Sequence, residues 1–186
     1  MNVQTLTVGM VCTCCYIVSA NHSPECIVID PGAEPERIRK AAGDKKIVAI
    51  LLTHGHFDHI AGVAGLLKPG VRVFIHPADA PFLSNPEING SQYLISRSVT
   101  APPATDFVHE GDVLTLAGLE IKVLHTPGHT QGCVCYQIEN ELFTGDTLFE
   151  HGWGRTDLPG GSEHQLFESL RRIMPMAETM PIHPGH

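Results

Sequence analysis

Residues 50–62 read Ile-Leu-Leu-Thr-His-Gly-His-Phe-Asp-His-Ile-Ala-Gly, and no other stretch limits the fold so tightly. The apolar run Ile47–Leu52 has the composition of a buried strand. It delivers His54, His56, Asp58 and His59 into the turn that follows. On an extended chain His54, His56 and Asp58 project to one side at a spacing of two, Gly55 lets the backbone bend, and His59 enters from the start of a helix. A lone histidine is usually a surface or satisfied core residue. Four titratable groups at one buried strand end are different, because without a cation each unpaired polar group would cost about 1–3 kcal/mol. Neutral imidazoles with a carboxylate are the donors that a borderline divalent cation such as zinc or iron binds, and these residues could serve two adjacent ions.

Further donors follow downstream. Thr126-Pro127-Gly128-His129-Thr130 and Thr144-Gly145-Asp146-Thr147-Leu148-Phe149 each leave an apolar segment, and the chain closes on Pro184-Gly185-His186. Behind Thr53-His54-Gly55-His56-Phe57-Asp58-His59, and in this order, these segments resemble the motifs of the metallo-β-lactamase superfamily over essentially the whole chain. Gly154-Arg155-Thr156-Asp157-Leu158-Pro159-Gly160-Gly161 makes the chain most similar to short, single-domain relatives of glyoxalase II, the hydroxyacylglutathione hydrolases.

The resemblance implies an α/β (α+β) fold, a four-layer αββα sandwich forming one domain over residues 1–186. Relatives of this kind usually continue with another glycine and a helix, so a C-terminal truncation is expected. Carried over residue by residue, it implies that His54, His56 and His129 hold one ion, that Asp58, His59 and His186 hold a second, and that Asp146 bridges them. Asp30 is implied to lie beneath the site and orient a ligand histidine. The implied cofactors are two divalent ions, zinc first, with iron or manganese as alternatives. The implied chemistry is attack of a bridging hydroxide on the carbonyl of an acyl-thiol such as S-lactoylglutathione, with Asp58 and Asp146 as the catalytic carboxylates; metal lowers the pKa of bound water to about 7. His186, as the last residue, is expected to hold its ion less firmly, and His183 is the substitute ligand if it frays. Two alternatives stand beside this reading. One is a mononuclear iron persulfide dioxygenase using His54, His129 and Asp146; the other is a noncatalytic metal- or thiol-responsive module, suggested by the clustered cysteines.

Composition excludes other classes. A chain of 186 residues with 42% hydrophobic and 17% charged residues is one globular domain. A formal charge of −8 argues against general nucleic-acid binding, which needs basic surface. The absence of a secretory pattern or membrane-length apolar run points to the cytoplasm, against membrane association and against a secreted antibiotic-hydrolysing enzyme. No Gly-x-Ser-x-Gly elbow supports a serine triad. The expected partner is therefore a small-molecule thioester or related ester. Cys12 and Cys14, and likewise Cys133 and Cys135, alternate as on a strand face and are read as small core hydrophobes in thiol form.

The remaining pattern predicts strands at 3–11, 15–20 and 26–30 as an antiparallel meander, a helix over 34–42, a helix over 60–67 and a strand at 71–75. A short helical piece from His76-Pro77 precedes a long loop, 84–106, of the kind used as a lid, with Phe82, Tyr93 and Arg97 as candidate substrate contacts. Strands follow at 113–116, 119–125, 133–138 and 141–144, then a helix over 163–173 capped by Ser162 with Gln165, and a last strand at 179–182.

Overall fold

Hydrophobic alternation in the central strands sets the layers of the molecule, which the computed structural model describes for residues 1–186. β1 (Asn2–Val8), β2 (Thr13–Ser19) and β3 (Glu25–Ile29) form the antiparallel meander expected at the N-terminus. β4 (Lys46–Leu51), β5 (Arg72–Ile75) and β6 (Asp106–Phe107) add in parallel to complete a six-stranded sheet. Side chains alternate across it: Ile27, Ile29 and Leu51 point to one face, Cys26, Val28 and Ile50 to the other.

β7 (Val113–Leu116), β8 (Leu119–His125), β9 (Val134–Ile138), β10 (Glu141–Gly145) and β11 (Ile182–Pro184) make the second sheet, with β11 added parallel to β10 at its edge. The two sheets share a core of Tyr16, Phe74, Tyr136 and Phe143 with the inward aliphatics. Buried Tyr136 satisfies its hydroxyl by donating to the Leu52 carbonyl across the sheets at 2.9 Å. α1 (Pro35–Ala42), α2 (Phe57–Ile60) and α3 (Val63–Leu66) cover the first sheet through Ile38, Ile60, Val63 and Leu66. α4 (Ser91–Ile95) lies in the β5–β6 connection, and α5 (Glu163–Ala177) covers the second sheet through Leu166, Leu170 and Ile173. The layers are αββα, as the resemblance implies. No helix is long and apolar enough to cross a membrane.

Four expectations are corrected. The helix over 60–67 is two short helices, starting at Phe57 and interrupted at Gly62, whose N–H donates to the Pro31 carbonyl at 2.7 Å. Residues 84–106 are not a structureless loop: they contain α4 and lead into β6, and buried Asn89 donates to the Phe82 and Val99 carbonyls at 3.0 and 2.9 Å. α5 runs past Pro175 to Ala177, because Met176 and Ala177 pack against the α5 core and outweigh one lost hydrogen bond. The last strand lies at 182–184 instead of 179–182, where β10 offers a free edge.

Candidate metal centre

The pairing directions bring the ends of β3, β4, β8, β10 and β11 to one edge of the sandwich, and every sequence-selected donor follows one of those ends. Asp30, after β3, adopts a left-handed φ of 50° and grips the chain leaving β4. Its Oδ1 accepts the Thr53 N–H at 2.8 Å and its Oδ2 accepts the Thr53 hydroxyl at 2.6 Å. His56 is extended, with φ −66° and ψ 150°, and α2 then presents Asp58 and His59 on its first turn.

Seven side chains meet there. His56 Nδ1 lies 2.8 Å from His129 Nε2, and the His54 ring is centred 4.1 Å from that of His59. Asp146 spans the cluster: its Oδ1 is 3.4 Å from His59 Nε2, and its Oδ2 is 3.5 Å from His129 Nε2 and 3.6 Å from His186 Nε2. His186 Nε2 is also 3.2 Å from Asp58 Oδ2. His54, His56 and His129 form one set with donor atoms within 4.8 Å of one another; His54, His59 and Asp146 form a second, and Asp58, His59 and His186 a third.

The tautomers of three histidines follow from their outward contacts. The Thr53 hydroxyl spends its proton on Asp30, so at 3.1 Å it accepts from His54 Nδ1. His129 Nδ1 donates to the Arg155 carbonyl at 2.7 Å, and His186 Nδ1 to the Val11 carbonyl at 3.1 Å. In each ring Nε2 is then the nitrogen directed inward. Asp58 Oδ2 accepts the Thr13 hydroxyl at 3.1 Å, which fixes that carboxylate. Asp30 Oδ2 sits 3.0 Å from His59 Nδ1 as an ionic contact without hydrogen-bond alignment.

A cation fits this donor set. His54 Nε2, His56 Nε2, both ring nitrogens of His59 and Asp146 Oδ1 are buried without a hydrogen-bond partner. Native interiors rarely tolerate such a concentration of orphaned atoms, at about 1–3 kcal/mol each, unless something else satisfies them. The electrostatics agree. Burial and the neighbouring His129 push His56 down to about 3, and burial holds His54 well below the ordinary imidazole range, so both are neutral donors. Burial opposes charge on Asp58 and His59 too, but their mutual attraction, with Asp146 and Asp30 on His59 and His186 on Asp58, holds Asp58 low and His59 high. Without a cation a proton on His59 answers the carboxylates, a task that a divalent ion would take over.

Asp79 belongs to the site and is not evident in the sequence. It is wholly buried in the 3₁₀ segment Pro77–Leu83. Its Oδ2 accepts the Gly55 N–H at 2.9 Å and the Thr130 hydroxyl at 2.7 Å, and its Oδ1 accepts the Gly132 N–H at 2.7 Å. One carboxylate thus ties the His54–His56 turn to the His129 turn. Its only sequence signal is an acid two residues after His76-Pro77, in the first turn of a helical segment.

Other candidates are placed elsewhere. His183 is no substitute ligand: it stacks on Phe143 at 4.5 Å and pairs with Glu141. Two further histidines lying beside the motifs also sit apart from the cluster: His125 stacks on His76, and His151 is exposed. Phe82 is buried with its ring 5.8 Å from that of His56, whereas Tyr93 is 68% exposed; the cavity above the ligands is lined by Leu94 and by neither Tyr93 nor Arg97. Cys133 and Cys135 are core residues, burial pushing Cys135 up to about 11, but Cys12 is exposed at a left-handed turn (φ 61°) and Cys14 only half-buried.

The model of the metallo-beta-lactamase superfamily matches residues 10–186. An uncharacterized protein of Aquifex aeolicus is 41% identical over 94% of this chain and 83% of its own length. The hydroxyacylglutathione hydrolase of Aeromonas hydrophila is 37% identical over 92% of this chain, which spans only 60% of that enzyme. Among solved structures, the BLEG-1 B3 metallo-beta-lactamase superposes with a TM-score of 0.93 at 33% identity, covering 100% of this chain and 91% of that one. TTHA1623 in a di-iron-bound form gives 0.86 at 33% identity, covering 99% and 92%. ETHE1 from Myxococcus xanthus gives 0.76 at 26% identity, covering 100% and 76%.

Proposed function

The chain belongs to the metallo-beta-lactamase superfamily, and from that premise we propose that it is a cytoplasmic metal-dependent thioesterase of glyoxalase II type, splitting the acyl–sulfur bond of a small acyl-thiol. The observation that carries the reading is the convergence of His54, His56, His129, Asp58, His59, His186 and Asp146 with five buried, unpartnered polar atoms among them. Divalent ions bound there supply Lewis acidity and bring the pKa of a water to about 7.

The chain's own residues do the rest by position. His54, His56 and His129 present ring nitrogens on one side, and Asp58, His59 and His186 present a carboxylate and two imidazoles on the other. Asp146, with one oxygen toward His59 and the other toward His129 and His186, holds the halves in register. Thr13 keeps Asp58 Oδ2 turned toward His186, and Asp30 and Asp79 fix the turns that carry the ligands. No general acid is required at the leaving group, because a thiol of pKa about 8.5 departs readily as thiolate.

An iron-dependent persulfide dioxygenase is the second reading, favoured by the likeness to ETHE1 and to a di-iron protein. It needs two histidines and one carboxylate; the resemblance implies His54, His129 and Asp146 for it, whereas the two-histidine, one-carboxylate set whose donor atoms gather in the structure is His54, His59 and Asp146. Elemental analysis of protein purified without added metal separates the readings when combined with two assays. Paired zinc or manganese ions with thioester turnover support the hydrolase; a single iron with persulfide-dependent oxygen uptake supports the dioxygenase. Metal uptake with neither activity reduces the protein to a binding module.

A further inference from the structure

Directly above the ligands is a cavity of about 260 Å³. His56, Asp58, His129, Asp146 and His186 form its floor, so whatever fills it lies against the reacting bond. Its walls are Val11 from the β1–β2 turn, Phe57 from α2, Leu94 from α4 and Leu158 from the loop after β10. Val11 and Leu94 remain 43% and 49% exposed, and neighbouring Met10 is 67% exposed. The wall is apolar, and it stands open toward solvent beside the candidate reaction centre.

The charges around it are the second observation. Arg155 is the one arginine or lysine of the lining, and it is already paired: its Nε and Nη2 each lie 2.6 Å from an oxygen of Asp157. That planar, two-bond pairing occupies one edge of the guanidinium, so a substrate carboxylate that binds there competes with Asp157. The chain as a whole carries a formal charge of −8. A glutathione arm brings two carboxylates and one ammonium, a net charge of −1, and is larger than a cavity below the roughly 300–1,000 Å³ of ordinary small-molecule sites. No unpaired arginine or lysine in the lining meets its carboxylates, and the walls offer it apolar contacts instead.

We propose that the substrate arm seated in this cavity is short, uncharged and apolar, held by Val11, Phe57, Leu94 and Leu158, so that the enzyme prefers neutral thioesters to the anionic thioesters of glutathione. This rests on the hydrolase reading for its kinetic test, and a binding test stands apart from it.

The kinetic test uses the metal-loaded enzyme and two thioesters with the same acyl group, S-lactoyl-N-acetylcysteamine and S-lactoylglutathione. The expected result is a kcat/KM about ten-fold or more in favour of the neutral thioester, the scale of one unmatched charge at a partly solvated site, expressed mainly in KM. Leu94→Arg supplies a free cation and shifts the ratio toward the glutathione thioester, with metal content unchanged. A preference for S-lactoylglutathione in the unmodified enzyme overturns the proposal, as does a ratio that Leu94→Arg leaves in place. The binding test is calorimetry with two unreactive thioethers, S-hexyl-N-acetylcysteamine and S-hexylglutathione. Tighter binding of the neutral thioether without turnover of either thioester would keep the cavity's preference and remove the hydrolase reading. Equal or tighter binding of S-hexylglutathione, or no binding of either compound, overturns the proposal.

Discussion

Asp79 accepts the Thr130 hydroxyl at 2.7 Å, one residue beyond His129, while the same oxygen takes the N–H of Gly55 between His54 and His56. No cation neutralises this buried carboxylate among its hydrogen-bond partners; two backbone N–H groups and a hydroxyl do so. Asp79→Ala strands the donors of Gly55 and Gly132, each costing about 1–3 kcal/mol. The expected outcome is a loss of about 3 kcal/mol in urea unfolding, together with weaker metal retention. Asp79→Asn keeps the shape and should recover part of both. Unfolding and chelator competition on the two variants check this, and an unaltered metal affinity in Asp79→Ala would sink the proposed link between the turns.

Asp30 acts from beneath, through Thr53 and His59. Removing its charge by Asp30→Asn should weaken metal binding by about 10–100-fold, the usual effect of changing a carboxylate that supports a ligand histidine. Competition with a chromophoric chelator measures the change directly.

Gly185 is expected to tolerate no side chain. A Cβ there would overlap Asp146 Oδ1 and come within 2.9 Å of His59 Cε1. Gly185→Ala should therefore perturb the Asp58–His59–His186 side while leaving the His54–His56–His129 side and the fold in place. Metal stoichiometry and circular dichroism read the two halves of that prediction.

His76 provides a pH dependence away from the metal ligands. Its Nδ1 accepts the Ala78 N–H at 3.2 Å, capping the segment that carries Asp79, and its ring stacks on His125 at 4.1 Å. Burial, then His125 and His109, push its pKa down to about 4 from an ordinary 6.5. Between those values the unfolded chain binds the proton and the folded one does not. The group's contribution to stability is thus complete above pH 6.5 and lost as pH falls through 4. His76→Asn keeps a capping oxygen without titrating. Metal-free His76→Asn should match the parent at pH 7–8 and lose less stability between pH 6.5 and 4, as urea midpoints across that range will show.

The cysteines predict a reactivity order. Cys12 is exposed, Cys14 half-buried, and Cys15, Cys26, Cys133 and Cys135 are buried. A thiol reagent should titrate Cys12 quickly and Cys14 more slowly in the native protein, and the other four only on unfolding. Fast reaction of all six would contradict the packing.

The sequence by itself determined which candidate donors gather at one edge of the sandwich. His-x-His-x-Asp-His after an apolar strand, then Thr-Pro-Gly-His, Thr-Gly-Asp and Pro-Gly-His, are local signals, because each pairs a donor with a backbone feature that aims it. The antiparallel start, α1 and the Ser162 cap were legible for the same reason: alternation and capping are short-range. What only the tertiary structure decided depends on contacts between distant segments. Asp79 meets Gly132 across 53 positions, a partnership that neither residue's neighbours announce. β11 forms at 182–184 because β10 offers it an edge, and α5 passes Pro175 because packing outweighs local propensity. Leu94 reaches the cavity because α4 forms where composition suggests only loop, and Arg155, at the cavity's side, pairs with Asp157. Donor identity is a property of residues; which of their atoms remain unsatisfied is a property of the packed chain.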